Sequence, residues 1–157
     1  MEDGENNGML MCDLIGTEIP ADHPFFRFQS RIRLSMSNLA LAISCGVRLE
    51  ETRELLDALD TLYNNLYDQE EKLSDQFRKR LNHEEEVWID LKQKFFQGDQ
   101  RSAYLLSAHS FLKMALSDLY VLKKDDVFAD RISDYVLKYM YKLSVSIYRE
   151  AMGHVML

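Results

Sequence analysis

The stretch Leu49–Phe96, LEETRELLDALDTLYNNLYDQEEKLSDQFRKRLNHEEEVWIDLKQKFF, decides the fold class. Leu55, Leu59, Leu62, Leu66, Glu70, Leu73, Phe77, Leu81, Glu84, Trp88, Leu91 and Phe95 form one row, and ten of these twelve positions are apolar. The row advances forty residues in eleven steps, roughly 3.6 residues per step, the period of a straight α-helix. A coiled-coil seam would hold nearer 3.5. No Gly or Pro falls between Gly46 and Gly98. The pattern predicts one amphipathic helix over 48–97, or two that continue each other's stripe. Unbroken, it would run roughly 75 Å at 1.5 Å per residue, about twice the length of the other helical stretches. Asn82, with Glu85 three residues on, has the form of an N-cap and capping box. A break or kink is therefore expected near 82, and Asn64-Asn65 is a weaker break signal.

The flanking segments extend the helical reading. Pro24 suits a first helical position after Asp22 as a cap. Phe25, Phe28, Ile32, Met36, Leu39 and Ile43 then recur at helical spacing up to Cys45-Gly46, where glycine can close a helix. After Gly98-Asp99, a helix over about 100–123 buries Tyr104, Ala108, Phe111, Ala115, Leu119 and Leu122. Its other face (Ser102, Leu106, His109, Ser110, Lys113, Ser117) is lightly charged, which implies cover by another element or subunit. Lys123–Asp126 makes a short polar turn with Asp126 as cap. A last helix over about 127–152 carries the core row Phe128, Ile132, Tyr135, Tyr139, Leu143 and Ile147, and Gly153 ends it. Short turns favour antiparallel neighbours. The expected fold is all-α: an antiparallel bundle of four long helices, or five with the break near 82, forming one domain over 24–157.

Composition agrees with a helical globular chain. Of 157 residues, 46% are hydrophobic and 29% charged, with six Gly and two Pro, so helix breakers are scarce. The net charge is −7, but residues 1–26 hold six acids and no Lys or Arg, leaving only −1 for the remainder. The acidic leader 1–23, with Gly4, Gly8, Gly16 and Pro20, reads as disordered or loosely docked. Met9–Ile15 within it is apolar enough to clip onto the bundle or a partner. Neither a strong nucleic-acid binder, which needs a basic surface, nor a nucleic-acid mimic, which needs a dense negative face on structured elements, fits this balance. Two cysteines 33 residues apart, Cys12 and Cys45, fit a reducing compartment. No apolar run nears the roughly 20 residues of a membrane span, and the cytoplasm is the expected location.

Motif chemistry is sparse. None of the four histidines has an acid three residues before it, as a di-iron bundle requires. The cysteines lack zinc spacing, and no phosphate loop, haem motif or nucleophile elbow occurs. No metal or cofactor is expected. The last helix, however, carries a second stripe, Leu137, Tyr141, Ser144 and Tyr148, opposite its core row, with Arg131, Lys138, Lys142 and Arg149 beside it. Rings supply contact area and cations supply orientation, as a helix-face interface needs. Cover by another helix of the same chain would instead make these ordinary core. The leading expectation is a non-enzymatic interaction module (adaptor, assembly subunit or inhibitor) binding a protein partner or itself. Trp88, Phe95 and Phe96, with eight Tyr and eight Met, support a further alternative, a bundle holding an apolar ligand.

A catalytic alternative rests on Arg149-x4-His154. An Arg-x4-His motif near a helix end of a bundle resembles the HEPN family, whose members include metal-independent ribonucleases. The resemblance implies Arg149 and His154 as a catalytic pair, the arginine stabilising phosphate charge and the histidine moving a proton. The same spacing recurs at Arg78-x4-His83.

Overall fold

The computed structural model describes residues 8–86 and 99–153. Two short strands precede the helices: β1 (Met9–Cys12) and β2 (Thr17–Pro20). Then come α1 (Pro24–Ser44), α2 (Leu49–Asn65), α3 (Asp75–His83), α4 (Gln100–Lys123), the single turn α5 (Asp126–Ala129) and α6 (Asp134–Ala151). The chain is mostly helical, with packed helices and one small sheet. Trp88, Leu91, Phe95, Phe96, Gly98 and His154 lie outside the described residues.

Over residues 8–23 the hairpin corrects the expectation of a disordered or loosely docked leader, of which residues 1–7 lie outside the described residues. β1 and β2 pair antiparallel with Met9 opposite Pro20 and Cys12 opposite Thr17. Gly16, at φ 72°, takes the left-handed turn conformation that glycine adopts without steric cost, and its N–H donates to the Cys12 carbonyl at 2.9 Å. Cys12, Leu14 and Ile19 are buried with the main core, so the apolar segment that could clip onto the helices does so. Tyr67, two residues past the end of α2, donates to Asp13 at 2.7 Å.

The long central stretch does not run as one helix. Its stripe stays inside, with Leu55, Leu59, Leu62, Leu66, Leu73 and Leu81 all buried, but the backbone leaves the helix after Asn65. The buried Asn65 amide donates to the carbonyls of Glu71 (2.7 Å) and Gln69 (3.3 Å) and accepts from Ser133 Oγ at 3.1 Å. A side chain that satisfies loop carbonyls competes with helix propagation, so the weaker sequence signal marks the main break. Asp68 then accepts from the Glu70 N–H at 3.0 Å in a local turn. Near 82 the chain does change course, in the opposite sense to the capping-box reading: α3 ends at His83, Glu84 is extended, and Asn82 donates to Tyr139 Oη at 3.2 Å. Ser74 is the actual cap of α3.

Three other boundaries differ by a few residues. His23, not Asp22, caps α1, its Nδ1 accepting from the Phe25 N–H at 3.1 Å. Asp125, not Asp126, caps α5. The expected last helix over 127–152 is interrupted, because Ser133 caps a fresh start and the Lys123 ammonium ties off the carbonyls of Ala129 and Ile132.

Helix α1 packs against α2 and α4, and α6 packs against the same two, with α3 laid on α6. Ser35 donates to the Ala108 carbonyl at 2.8 Å and Arg31 to Asp118 at 2.8 Å, so α1 and α4 run in opposite directions. Helix α6 is buried nearly all round, from Val136 to Ala151. Leu14→Ala should destabilise the protein by about 2–5 kcal/mol in urea unfolding, the range for a truncated core leucine; a cost under about 0.5 kcal/mol would show the hairpin to be merely resting on the helices.

Candidate functional site

The second stripe of α6 lies mostly inside the chain. Leu137 and Ser144 are buried, Leu137 in the interior where the sequence reading set an interface, and the Ser144 carbonyl accepts from His109 Nδ1 of α4 at 2.8 Å. Tyr148 is half-buried against the His109 ring, centroids 5.1 Å apart. Tyr141 is half-buried too: its hydroxyl donates to the Glu86 carboxylate, which holds the phenol above its usual pKa, and the Lys113 ammonium stands 5.6 Å from its ring centroid. Arg131 and Lys138 are exposed, with Lys138 5.2 Å from the Tyr139 ring, and Lys142 is partly exposed. The covering helix is the one whose lightly charged face (Ser102, Leu106, His109) had called for a partner.

Arg149 and Arg78 are both engaged. Arg149 donates to the Glu85 carbonyl at 2.9 Å and lies 3.4 Å from Glu84; its expected partner His154 is outside the described residues. Arg78 pairs with Asp75 at 2.9 Å on α3.

The sequence reading missed a charged cluster where α2 and α4 begin and α3 and α6 end. Glu150, 6% exposed, receives Arg48 from the start of α2 and Arg101 from the start of α4, the latter at 2.5 Å. Arg101, 5% exposed, also donates to Thr52 Oγ1 at 3.0 Å, and its Nε has no hydrogen-bond partner among the described residues. Arg48 holds a left-handed backbone at φ 52°, a region that costs a non-glycine residue energy, while its bond to Glu150 raises its guanidinium pKa. Glu84 repeats the pattern, lying 3.4 Å from both Arg80 and Arg149 and accepting from Ser146 Oγ at 3.0 Å. Arg48, Arg80, Glu84, Arg149 and Glu150 line a cleft of about 410 Å³ together with Glu51 and Gly153. Arg149 carried a motif signal, and Arg80 and Glu84 stand four residues apart, the spacing of a helix-surface pair. Nothing in the local spacing joins residues 48, 101 and 150.

Another open surface is the outside of α1 and α4. Ser30, Arg33, Leu34, Ser37, Ala40, Leu41 and Ser44 of α1 are exposed at helical spacing, as are Ser110, Lys113, Met114, Ser117, Tyr120 and Val121 of α4. The two helices hold one acid, Asp118, which is buried and paired with Arg31. Among the described residues, no group of three or more His, Cys, Asp or Glu side chains is placed to hold a metal, and no helix is long and apolar enough to cross a membrane.

His109 gives the site a pH handle. Burial holds its imidazole below the ordinary range, Lys113 adds to this, and the Ser144 bond and Glu86 oppose it. A group whose folded pKa is depressed stabilises above its unfolded value, about 6.5 for histidine, and that contribution is lost as pH falls through the folded value. Urea unfolding at pH 7.5 and 5.5 should show a larger loss for the parent than for His109→Asn. Equal losses would mean that the ring titrates as freely as in the unfolded chain.

Comparison with curated proteins gives no match. A family model described as "Domain of unknown function (DUF1940)" matches residues 11–153, from within β1 to two residues past the end of α6. The chain belongs to that family.

Proposed function

We propose that the protein is a non-enzymatic interaction module of the cytoplasm, an antiparallel helical bundle that docks an acidic, apolar helix of a protein partner on the outer face of α1 and α4. The observation that carries this reading is the pairing of apolar exposure with one sign of charge. Leu34 and Leu41 on α1 are each 44% exposed, and Met114 and Val121 on α4 are 41% and 51% exposed. Each pair is seven residues apart, two turns along one helix face. Serine and alanine between them allow close helix approach. Helices α1 and α4 carry net charges of +3 and +2, so in a chain of net −7 the remainder carries −12. A second copy presenting the same face would set Arg33 and Lys113 against their own kind, whereas glutamates flanking a leucine stripe complement them. Exposed apolar side chains repeated along a helix face are a surface that a partner helix can cover.

A synthetic helix with a leucine stripe flanked by glutamates should bind the parent more tightly than the same stripe flanked by lysines. Leu34→Glu with Leu41→Glu should weaken that binding at least tenfold while leaving the melting transition close to that of the parent. Equal binding of both peptides, or of neither, removes this face as the docking surface.

A second reading keeps ribonuclease chemistry. It is favoured by the place of Arg149 on a cleft that also holds Arg48 and Arg80, beside the point where the chain continues toward His154. Cleavage of a single-stranded RNA by the parent, lost in His154→Ala, supports it; no cleavage, or equal cleavage by both, eliminates it.

A further inference from the structure

The sheet stops after two strands, and its two outer edges are built differently. The Ala21 N–H donates to the Gly8 carbonyl at 2.7 Å, and along an antiparallel pair the hydrogen-bonded positions alternate. The register then bonds Leu10 with Ile19 and Cys12 with Thr17. Met9 and Met11 of β1, like Glu18 and Pro20 of β2, therefore turn their main-chain groups away from the hairpin. On the β2 edge Pro20 has no N–H to offer, and Glu18 is charged and exposed. Proline and charge are the usual means of closing an edge strand to further pairing. Strand β1 reads MLMC and carries neither. Among the described residues, the N–H and carbonyl groups of Met9 and Met11 make no bond beyond the hairpin, and no element other than β2 is laid alongside β1.

Side-chain burial shows the same asymmetry. Leu10 and Ile19 stand opposite each other on the face that Cys12 and Ile19 turn to the core. Ile19 is 9% exposed, yet Leu10 is 45% exposed. The helices thus cover this face beneath β2 and leave it half-open beneath β1. On the outer face Met11 is 60% exposed. A strand added beside β1, at about 4.8 Å, would cover the flanks of both side chains. The surroundings are acidic: Asp13, Glu18 and Asp22 are all exposed, residues 8–22 hold no Lys or Arg, and Glu2, Asp3 and Glu5 precede them in the sequence. A second copy offering the same edge would bring these acids together, and like charges on neighbouring strands oppose pairing.

We infer that the open edge of β1 takes up an extended segment of a protein partner as a third, antiparallel strand, apolar in its middle and carrying Lys or Arg at both ends. Met9 and Met11 supply two main-chain donors and two acceptors, Leu10 and Met11 supply apolar area, and the acids around the hairpin favour a cationic segment. This is strand addition to a sheet edge. It uses a different surface from helix docking on α1 and α4, and neither requires the other.

Titration of the full chain with a synthetic peptide of alternating valine and threonine between lysines tests the inference, followed by fluorescence anisotropy and by the amide resonances of Met9 and Met11. The parent should bind this peptide saturably and more tightly than the same peptide flanked by glutamates, and amide exchange at Met9 and Met11 should slow. Met11→Pro deletes an outward N–H while sparing the bonds to β2; it should weaken binding about tenfold, the effect of leaving one carbonyl of the partner unpaired, with Met9→Pro as the second variant should the first fail to fold. Met11→Ala, which keeps the main chain intact, should lose less affinity than Met11→Pro, whereas simple apolar adhesion would reverse that order. Leu34→Glu with Leu41→Glu should leave the affinity unchanged. Absence of saturable binding by the parent, equal affinity in Met11→Pro, or dimerisation of the parent that Met11→Pro abolishes overturns the assignment of a partner strand to this edge.

Discussion

The Glu150 carboxylate ties together the ends of three helices. It lies in the last turn of α6 and receives Arg48, which precedes α2, and Arg101, in the first turn of α4. Taking the Arg101 guanidinium and the Glu150 carboxylate out of water is costly, and the pair holds only if each group keeps its partner. Removing one partner of a buried pair typically costs about 3–5 kcal/mol, because the other is left uncompensated. The arrangement therefore fixes register: if α4 slid by one turn against α6, a buried charge would be stranded. Ser102 adds to the same junction by donating to the Ala151 carbonyl at 2.8 Å.

That junction divides the molecule into two kinds of surface. At the charged end, arginines and glutamates interleave around the cleft, and the backbone of Arg48 holds a conformation that costs energy. Along the α1–α4 side, acids are almost absent and apolar residues face outward between serines. The buried Asp118 consumes Arg31 at 2.8 Å and stands 3.9 Å from Arg27, which leaves Arg33 and Lys113 as the exposed cations of that face. Side-chain placement thus separates a rigid polar junction from a smooth, weakly basic flank.

The apolar stripe from Leu55 to Leu81 was legible in the sequence, and its leucines are buried as the pattern requires. Period alone did not reveal that the backbone between Leu66 and Ser74 leaves the helix while Leu66 and Leu73 stay inside. An apolar row records which residues face the core, and a loop can satisfy that row as well as a helix can. Asn65 decided the matter, and its partners Gln69, Glu71 and Ser133 include one from a distant segment. The hairpin was hard to see for a related reason: MLMC and TEIP are too short to show a period, and they gain their stability from burial of Cys12, Leu14 and Ile19 against the helices.

The sequence by itself determined the helical class, the Pro24 and Gly153 ends, the core rows of α1 and α6, and the scarcity of motif chemistry. These follow from local propensity and from hydrophobic spacing within single elements. Tertiary structure decided that the Leu137–Tyr148 stripe lies mainly under α4, that Arg149 shares Glu84 with Arg80, and that Arg48, Arg101 and Glu150 meet. Arg48, Arg101 and Glu150 are 49 or more positions apart, and a charge carries no periodic signature that names its partner. Only the packing of helices at their ends brings such groups within bonding distance.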